Sequence, residues 1–234
     1  MKLGIMQPYL FPYIGYFQLI SICDQFIIHD DVQYIKGGWI NRNRILVNGK
    51  PEYITLPIRK DNSLLSINQR YFTSDLELFK KGLIRKIEGA YRKAPFFQKV
   101  YDLVQECFIS TDANVSVFVT QTIKKCCEFL DIKTPFLMAS SLDIDSKLRA
   151  EDRVIFINKI LRSNAYINPL GGIELYSREK FAANGIELHF LRSRLPTYPQ
   201  FEHEFTPALS ILDVMMFNTV DEIRGFLNEY DLVA

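Results

Sequence analysis

The 234-residue sequence has no excess of either charge: 28 Lys and Arg stand against 27 Asp and Glu, for a net charge of +1. A chain without a global field is not drawn by charge alone to nucleic acid or to an anionic membrane. Cysteine is scarce, and Cys23, Cys107, Cys126 and Cys127 lack the spacing of a zinc site, so they read as reduced core thiols. No run approaches the roughly eighteen apolar residues of a membrane span, and no basic segment followed by a long apolar one opens the sequence. A cytoplasmic protein with no membrane insertion is therefore expected. Internal repeats, low-complexity segments and Ser-His-Asp or Cys-His spacings are also missing, which removes the commonest signatures of solenoids and of acyl-enzyme hydrolases.

What is present is a 48% hydrophobic composition, ample for a core, and an organising first stretch, residues 1–44. Leu3-Gly4-Ile5-Met6 reads as a buried strand that empties into a loop at Gln7-Pro8. After Pro12, apolar residues recur at helical spacing from Tyr13 to Cys23, and Gln25-Phe26-Ile27-Ile28-His29 is β-branched and aromatic. Strand, helix and strand in under thirty residues make a βαβ unit with parallel strands. Further on, Asn48-Gly49 between two β-rich runs predicts a hairpin. Ser74-Asp75-Leu76-Glu77 can cap a helix to about Tyr91, and helices follow over 94–108 and 115–130. Strands at 133–138, 165–168 and 187–191 then alternate with helices at 149–162 and 177–184. A last helix starts at Pro207, continued or joined by another over 220–228. The expected fold is a single α/β domain: a mostly parallel, Rossmann-like sheet with a hairpin appendage and a central helical insertion over about 74–130.

Ligands of such sheets sit beyond the carboxyl ends of the strands. Here those ends are Gln7-Pro8-Tyr9 and the polar run His29-Asp30-Asp31-Val32-Gln33-Tyr34, followed by Lys36, Trp39, Asn41, Arg42, Asn43 and Arg44. Paired carboxylates bind a metal or two sugar hydroxyls, while Arg and Asn donate to carboxylate or phosphate. Alternation along the chain lets only one of Asp30 and Asp31 face a pocket, and Asp31 is the choice made here. A capped, solvated charged loop is the competing reading. His29 reads either as a general base or metal ligand, or as a strand-end histidine bonded to backbone. His189 lies in an apolar strand and reads as structural, and His203, between Glu202 and Glu204, can join a metal site.

Met6-Gln7-Pro8-Tyr9-Leu10-Phe11-Pro12-Tyr13-Ile14-Gly15-Tyr16-Phe17, Asp30-Asp31-Val32-Gln33-Tyr34 and Trp39-Ile40-Asn41-Arg42-Asn43-Arg44 together resemble the signature of the WbqC-like protein family. The likeness continues through 90–97, Gly171-Gly172, Tyr198-Pro199-Gln200 and 210–213. It departs from the family pattern at Gly37-Gly38 and at Asn168-Pro169-Leu170. Tyr13-Ile14-Gly15-Tyr16 also occupies the place of the His-x-Gly-His of nucleotidyltransferase and HUP-like folds, with both imidazoles replaced by phenols, which carry no charge toward phosphate.

The family resemblance implies a place in bacterial surface polysaccharide (O-antigen, lipopolysaccharide) biosynthesis, and joining that to a pantothenate-synthetase-like frame, which makes amides from activated acids, gives the hypothesis of a transferase. Its reaction would be acyl or aminoacyl transfer to the amine of a nucleotide-linked amino sugar, by way of an acyl adenylate if ATP with magnesium supplies the activation. A sugar-nucleotide nucleotidyltransferase, which would lack a glycine-rich signature here, and a non-enzymatic sugar-nucleotide-binding protein are the alternatives. On that hypothesis Gln7, Tyr9, Tyr13, Gly15 and Tyr16 line the nucleotide, and His29, Asp31 and Gln33 act on or orient the sugar or amine. Tyr34, Trp39, Asn41, Arg42, Asn43 and Arg44 hold phosphate or carboxylate. Gly171 and Gly172 either bring backbone amides to phosphate oxygens or make a tight turn. Tyr198 and Gln200 either close over the pocket or belong to a surface loop.

Overall fold

The computed structural model describes residues 1–145, 147–202 and 204–233. It opens with the βαβ unit: β1 (Lys2–Met6), α1 (Ile14–Ile22) and β2 (Gln25–Ile28), the strands parallel with Leu3 opposite Gln25 and Met6 opposite Ile28. Gly4 lies where a Cβ would meet Cys23 Sγ at 2.8 Å and the Phe26 ring at 3.0 Å, so a glycine there lets the return of the chain pack closely on β1.

Between β2 and the next strand of the sheet come the appendages. The hairpin is β3 (Arg42–Val47) and β4 (Lys50–Thr55), joined through Asn48 and Gly49, both at positive φ (50° and 74°), as a tight primed turn requires. Three helices follow: α2 (Leu76–Tyr91), α3 (Phe97–Ile109) and α4 (Val115–Phe129). The chain then returns to the sheet through β5 (Phe136–Met138), α5 (Ala150–Ile160), β6 (Ala165–Pro169), α6 (Arg178–Ala183) and β7 (Glu187–Ser193), and ends with α7 (Ile211–Phe217), α8 (Val220–Leu227) and β8 (Tyr230–Val233).

The main sheet, six strands among the described residues, has the order β5-β2-β1-β6-β7-β8 and is parallel except at β8. Its first five strands follow the doubly wound order, with the direction of winding reversing between β1 and β6. Alternate side chains feed two cores. Leu3, Ile5, Ile27, Tyr166 and Phe190 pack with Val154 and Ile157 of α5 and Phe181 of α6. Phe26, Ile28, Ile167 and Leu191 join the larger core with α1, the hairpin residues Ile45, Leu46 and Ile54, and the inserted helices.

Some boundaries differ from the sequence reading, each for a local reason. The strand expected over 133–138 pairs from Pro135, whose carbonyl accepts from Phe26 N at 2.9 Å. The helix expected from Pro207 starts at Ile211, because Ala208 has φ 55° and Ser210 Oγ caps the first turn by accepting from Leu212 N. α2 starts at Leu76 with Asp75 as N-cap, and no side-chain cap bond forms there. The antiparallel strand β8 is an addition at the chain's end, where only a helix is expected. Among the described residues no helix is long and apolar enough to cross a membrane, and all four cysteine thiols are buried and free.

Candidate functional site

At the carboxyl end of β2, His29 N donates to Met6 O (2.7 Å), which sets the imidazole beside the exit of β1. The next two residues diverge, as alternation requires. Asp30 is buried, and both its oxygens are taken by Ser140, from N at 3.0 Å and Oγ at 2.6 Å. Asp31 turns toward α5, where the Arg153 Nη2 donates to Oδ2. Arg153 Nε donates to His29 Nε2 at 3.3 Å, so that ring nitrogen is the acceptor and the imidazole is neutral. Burial pushes the His29 imidazole down to about 4. The Asp31 carboxylate opposes that shift and the Arg153 charge adds to it. One atom is left over: Asp31 Oδ1 is buried, lies 3.9 Å from His29 Nε2 and accepts no hydrogen bond. In a native interior such an acceptor is rare, and it can take a hydrogen from a bound hydroxyl or amine.

Arg153 is the component that sequence reasoning missed. It lies 122 residues beyond Asp31 on a helix whose charged residues read as ordinary surface; only the doubly wound topology, which sets the start of α5 over the strand ends, signals it.

Gln33 and Tyr34 continue away from this cluster and, with Asn41 and Arg42, line a cleft of about 880 Å³ between the hairpin and residues 57–70. Gln33 Nε2 donates to Ser63 O (3.0 Å), Tyr34 Oη to Asn41 Oδ1 (3.0 Å), and Asn41 Nδ2 to Leu56 O (2.8 Å). Arg42 donates to the carbonyls of Gly37 and Gly38 and stacks its guanidinium 4.6 Å from the Tyr53 ring centre. Trp39 stacks on Tyr53 (6.3 Å) and lies under the Arg44 guanidinium (5.5 Å).

The remaining candidate residues make contacts within the chain. Tyr16 is buried and donates to Gln7 O (2.9 Å), with the Tyr9 ring 5.6 Å away. Burial raises the phenols of Tyr9, Tyr13 and Tyr16, so all three stay neutral. A Cβ on Gly15 would lie 2.4 Å from the Tyr13 ring, so the space this glycine opens is filled by Tyr13. Asn43 is buried and donates to the carbonyls of Leu10 (3.0 Å) and Phe11 (2.7 Å), fixing the loop after β1. Gly171 and Gly172 lie in a 3-10 turn, Leu170–Leu175, with Gly172 against the Asn168 side chain.

Tyr198 and Gln200 turn inward to Asp213 on α7. Tyr198 Oη donates at 2.8 Å and Gln200 Nε2 at 2.6 Å, both to Oδ1, while Tyr91 Oη donates to Oδ2 at 2.7 Å. His189 is on β7, 3.3 Å from Glu187, and His203 lies outside the described residues. Among the described residues no three His, Cys, Asp or Glu side chains converge as a metal site.

A family model described as the WbqC-like protein family matches residues 7–225. A relative from Mycobacterium tuberculosis (strain ATCC 25618 / H37Rv), the uncharacterized protein Rv1507c, is 27% identical over 228 residues, 97% of each chain. No solved structure matches the sequence significantly.

Proposed function

The chain belongs to the WbqC-like protein family, and from that membership and the strand-end geometry we propose a transferase that acylates the amine of a nucleotide-linked amino sugar in surface-polysaccharide biosynthesis. The carrying observation is Asp31 Oδ1, a buried carboxylate oxygen without a partner beside the exit of β1. His29 accepts from Arg153, so its Nε2 lone pair is engaged and it acts as a positioning residue. Arg153 holds Oδ2, which leaves Oδ1 as the acceptor for the substrate amine. In the reaction the amine lone pair forms the new N–C bond, the bond from the acyl carbon to its activating group breaks, and the amine proton passes to Asp31. The donor is an acyl thioester or an acyl adenylate. The filled space at Gly15 argues against an adenine seated there, and so favours a donor activated elsewhere.

The test is amide formation by the purified protein, given a nucleotide-linked amino sugar with acyl-coenzyme A in one arm and free acid with ATP and magnesium in the other. Turnover that falls about a hundredfold in Asp31→Asn supports the reading, in keeping with the loss of a positioned base. Turnover indifferent to that change, or none in either arm while ATP–pyrophosphate exchange is also absent, sinks it.

A further inference from the structure

The 880 Å³ cleft between the hairpin and residues 57–70 concentrates positive charge that the rest of the fold does not neutralise. Lys36, Arg42, Arg59, Lys60 and Arg70 line it with a single carboxylate, Asp61, a local excess of four in a protein whose total is +1. Among the described residues none of the five is ion-paired. Arg42, Arg59 and Arg70 donate only to main-chain carbonyls: Gly37 and Gly38, Phe72 (2.9 Å) and Asn62 (2.8 Å). A cavity of about 550 Å³ at the opposite end of the sheet makes the contrast. Its Lys133 and Arg224 both pair with Asp131, at 2.5 and 2.8 Å, and with Asp24 in the same lining its two cations and two carboxylates leave no net charge.

Arg70 gives the sharper sign. It is 8% exposed, its guanidinium lies 4.9 Å from the Tyr34 ring centre, and its Nε is buried with no acceptor. A buried, unpaired cation with an unmet donor is costly unless an anion completes it. Phosphate oxygens match the guanidinium fork better than any neutral ligand does. On the rim, Arg42 stacks on Tyr53 and Tyr53 on Trp39; both rings are exposed, and a nucleobase can join this stack by displacing a guanidinium from a ring face.

We infer that this cleft is the diphosphate seat of a nucleoside-diphosphate ligand, with Arg70 and Arg59 on the phosphates, Lys36 and Lys60 at the mouth and the base against Trp39 and Tyr53. The inference deepens the transferase reading and rests on it for the sugar beyond the diphosphate. Gln33, in the cleft wall, follows Asp31 by two residues, at most about 7 Å of chain. That separation is within the length of a sugar linked to the diphosphate.

Trp39 is the sole tryptophan, so its fluorescence reports on the rim of the cleft through the Tyr53–Arg42 stack. Titration of the full-length protein with inorganic pyrophosphate and with uridine and guanosine diphosphates is expected to give a saturable change that weakens with salt. Arg70→Met should weaken pyrophosphate about tenfold, as loss of a charge-assisted hydrogen bond does. The exposed double variant Lys36→Ala/Lys60→Ala should weaken it similarly without risk to folding. Asp31→Asn should leave pyrophosphate affinity unchanged, so a failed transferase assay and a failed cleft assignment give different results. No saturable binding, equal affinity in wild type and the Lys double variant, or a short oligouridylate binding far more tightly than uridine diphosphate overturns the inference.

Discussion

Arg153 Nε donates to His29 Nε2 at 3.3 Å, and that contact decides which nitrogen of the imidazole holds the proton. The other end of the same guanidinium holds Asp31, so one side chain from α5 sets the state of two groups at the end of β2.

Burial is the main cause that holds the His29 imidazole down, and replacing Arg153 by Met removes the smaller depressing influence while the Asp31 carboxylate, which raises it, remains. The His29 pKa should then climb above about 4, with burial still holding it below the ordinary 6.5, read by an NMR titration of the ring protons and assigned with a His29→Asn control. The variant should also lose about 2 kcal/mol of stability, because a partly buried carboxylate is left without its partner. A His29 titration that stays near 4 in the variant contradicts the assigned contact.

The same imidazole makes the fold acid-sensitive over a defined window. Its folded value is about 4 against 6.5 when unfolded, so between those pH values the unfolded chain binds the extra proton. Stability is then lost as pH falls from about 6.5 to about 4, by at most about 3 kcal/mol, and changes no further through this group below that. The difference in melting temperature between wild type and His29→Asn should follow that window. A difference that is flat from pH 7 to 4 refutes it.

Asp213 should behave in the opposite sense. Burial pushes its carboxyl up despite the hydrogen bonds from Tyr91, Tyr198 and Gln200, so the folded state holds a proton that the unfolded state has lost just above its ordinary value. That term strengthens the fold as pH falls. Asp213→Leu strands three buried donors and should cost about 3 kcal/mol or more in urea unfolding, whereas Tyr198→Phe removes one bond and should cost about 1 kcal/mol. Equal, small losses in both would mean that the network carries little.

The local chemistry of the sequence reached some of these features and not others. Asn48-Gly49 announces its turn because only such residues take two positive φ values in a row, and the run ending in His29-Asp30-Asp31 announces a strand end. Alternation leaves only one of Asp30 and Asp31 open without saying which, and Ser140, 110 residues further on, decides it by taking both oxygens of Asp30. Nothing local distinguishes Arg153 or Arg70 from other surface cations, because their partners lie on different elements. Nor does Asp213 read as buried: an acid in the first turn of a helix normally faces solvent, and here Tyr91, 122 residues earlier, supplies the bond that makes burial tolerable. Tyr198 and Gln200 look like a polar lid for the same reason.

The paired glycines after β6 offer a last test, because the two positions are physically unlike. A Cβ on Gly172 would lie 1.9 Å from Asn168 Nδ2, and that side chain cannot simply swing away: it accepts from Tyr166 Oη (3.0 Å) and donates to Pro169 O (3.1 Å). A Cβ on Gly171 would meet nothing within 4 Å. Gly172→Ala should therefore cost about 1–3 kcal/mol through overpacking, and Gly171→Ala should be neutral within about 0.5 kcal/mol. If instead both variants keep wild-type stability and lose affinity for a nucleotide ligand together, the glycines serve phosphate approach and not the packing of Asn168.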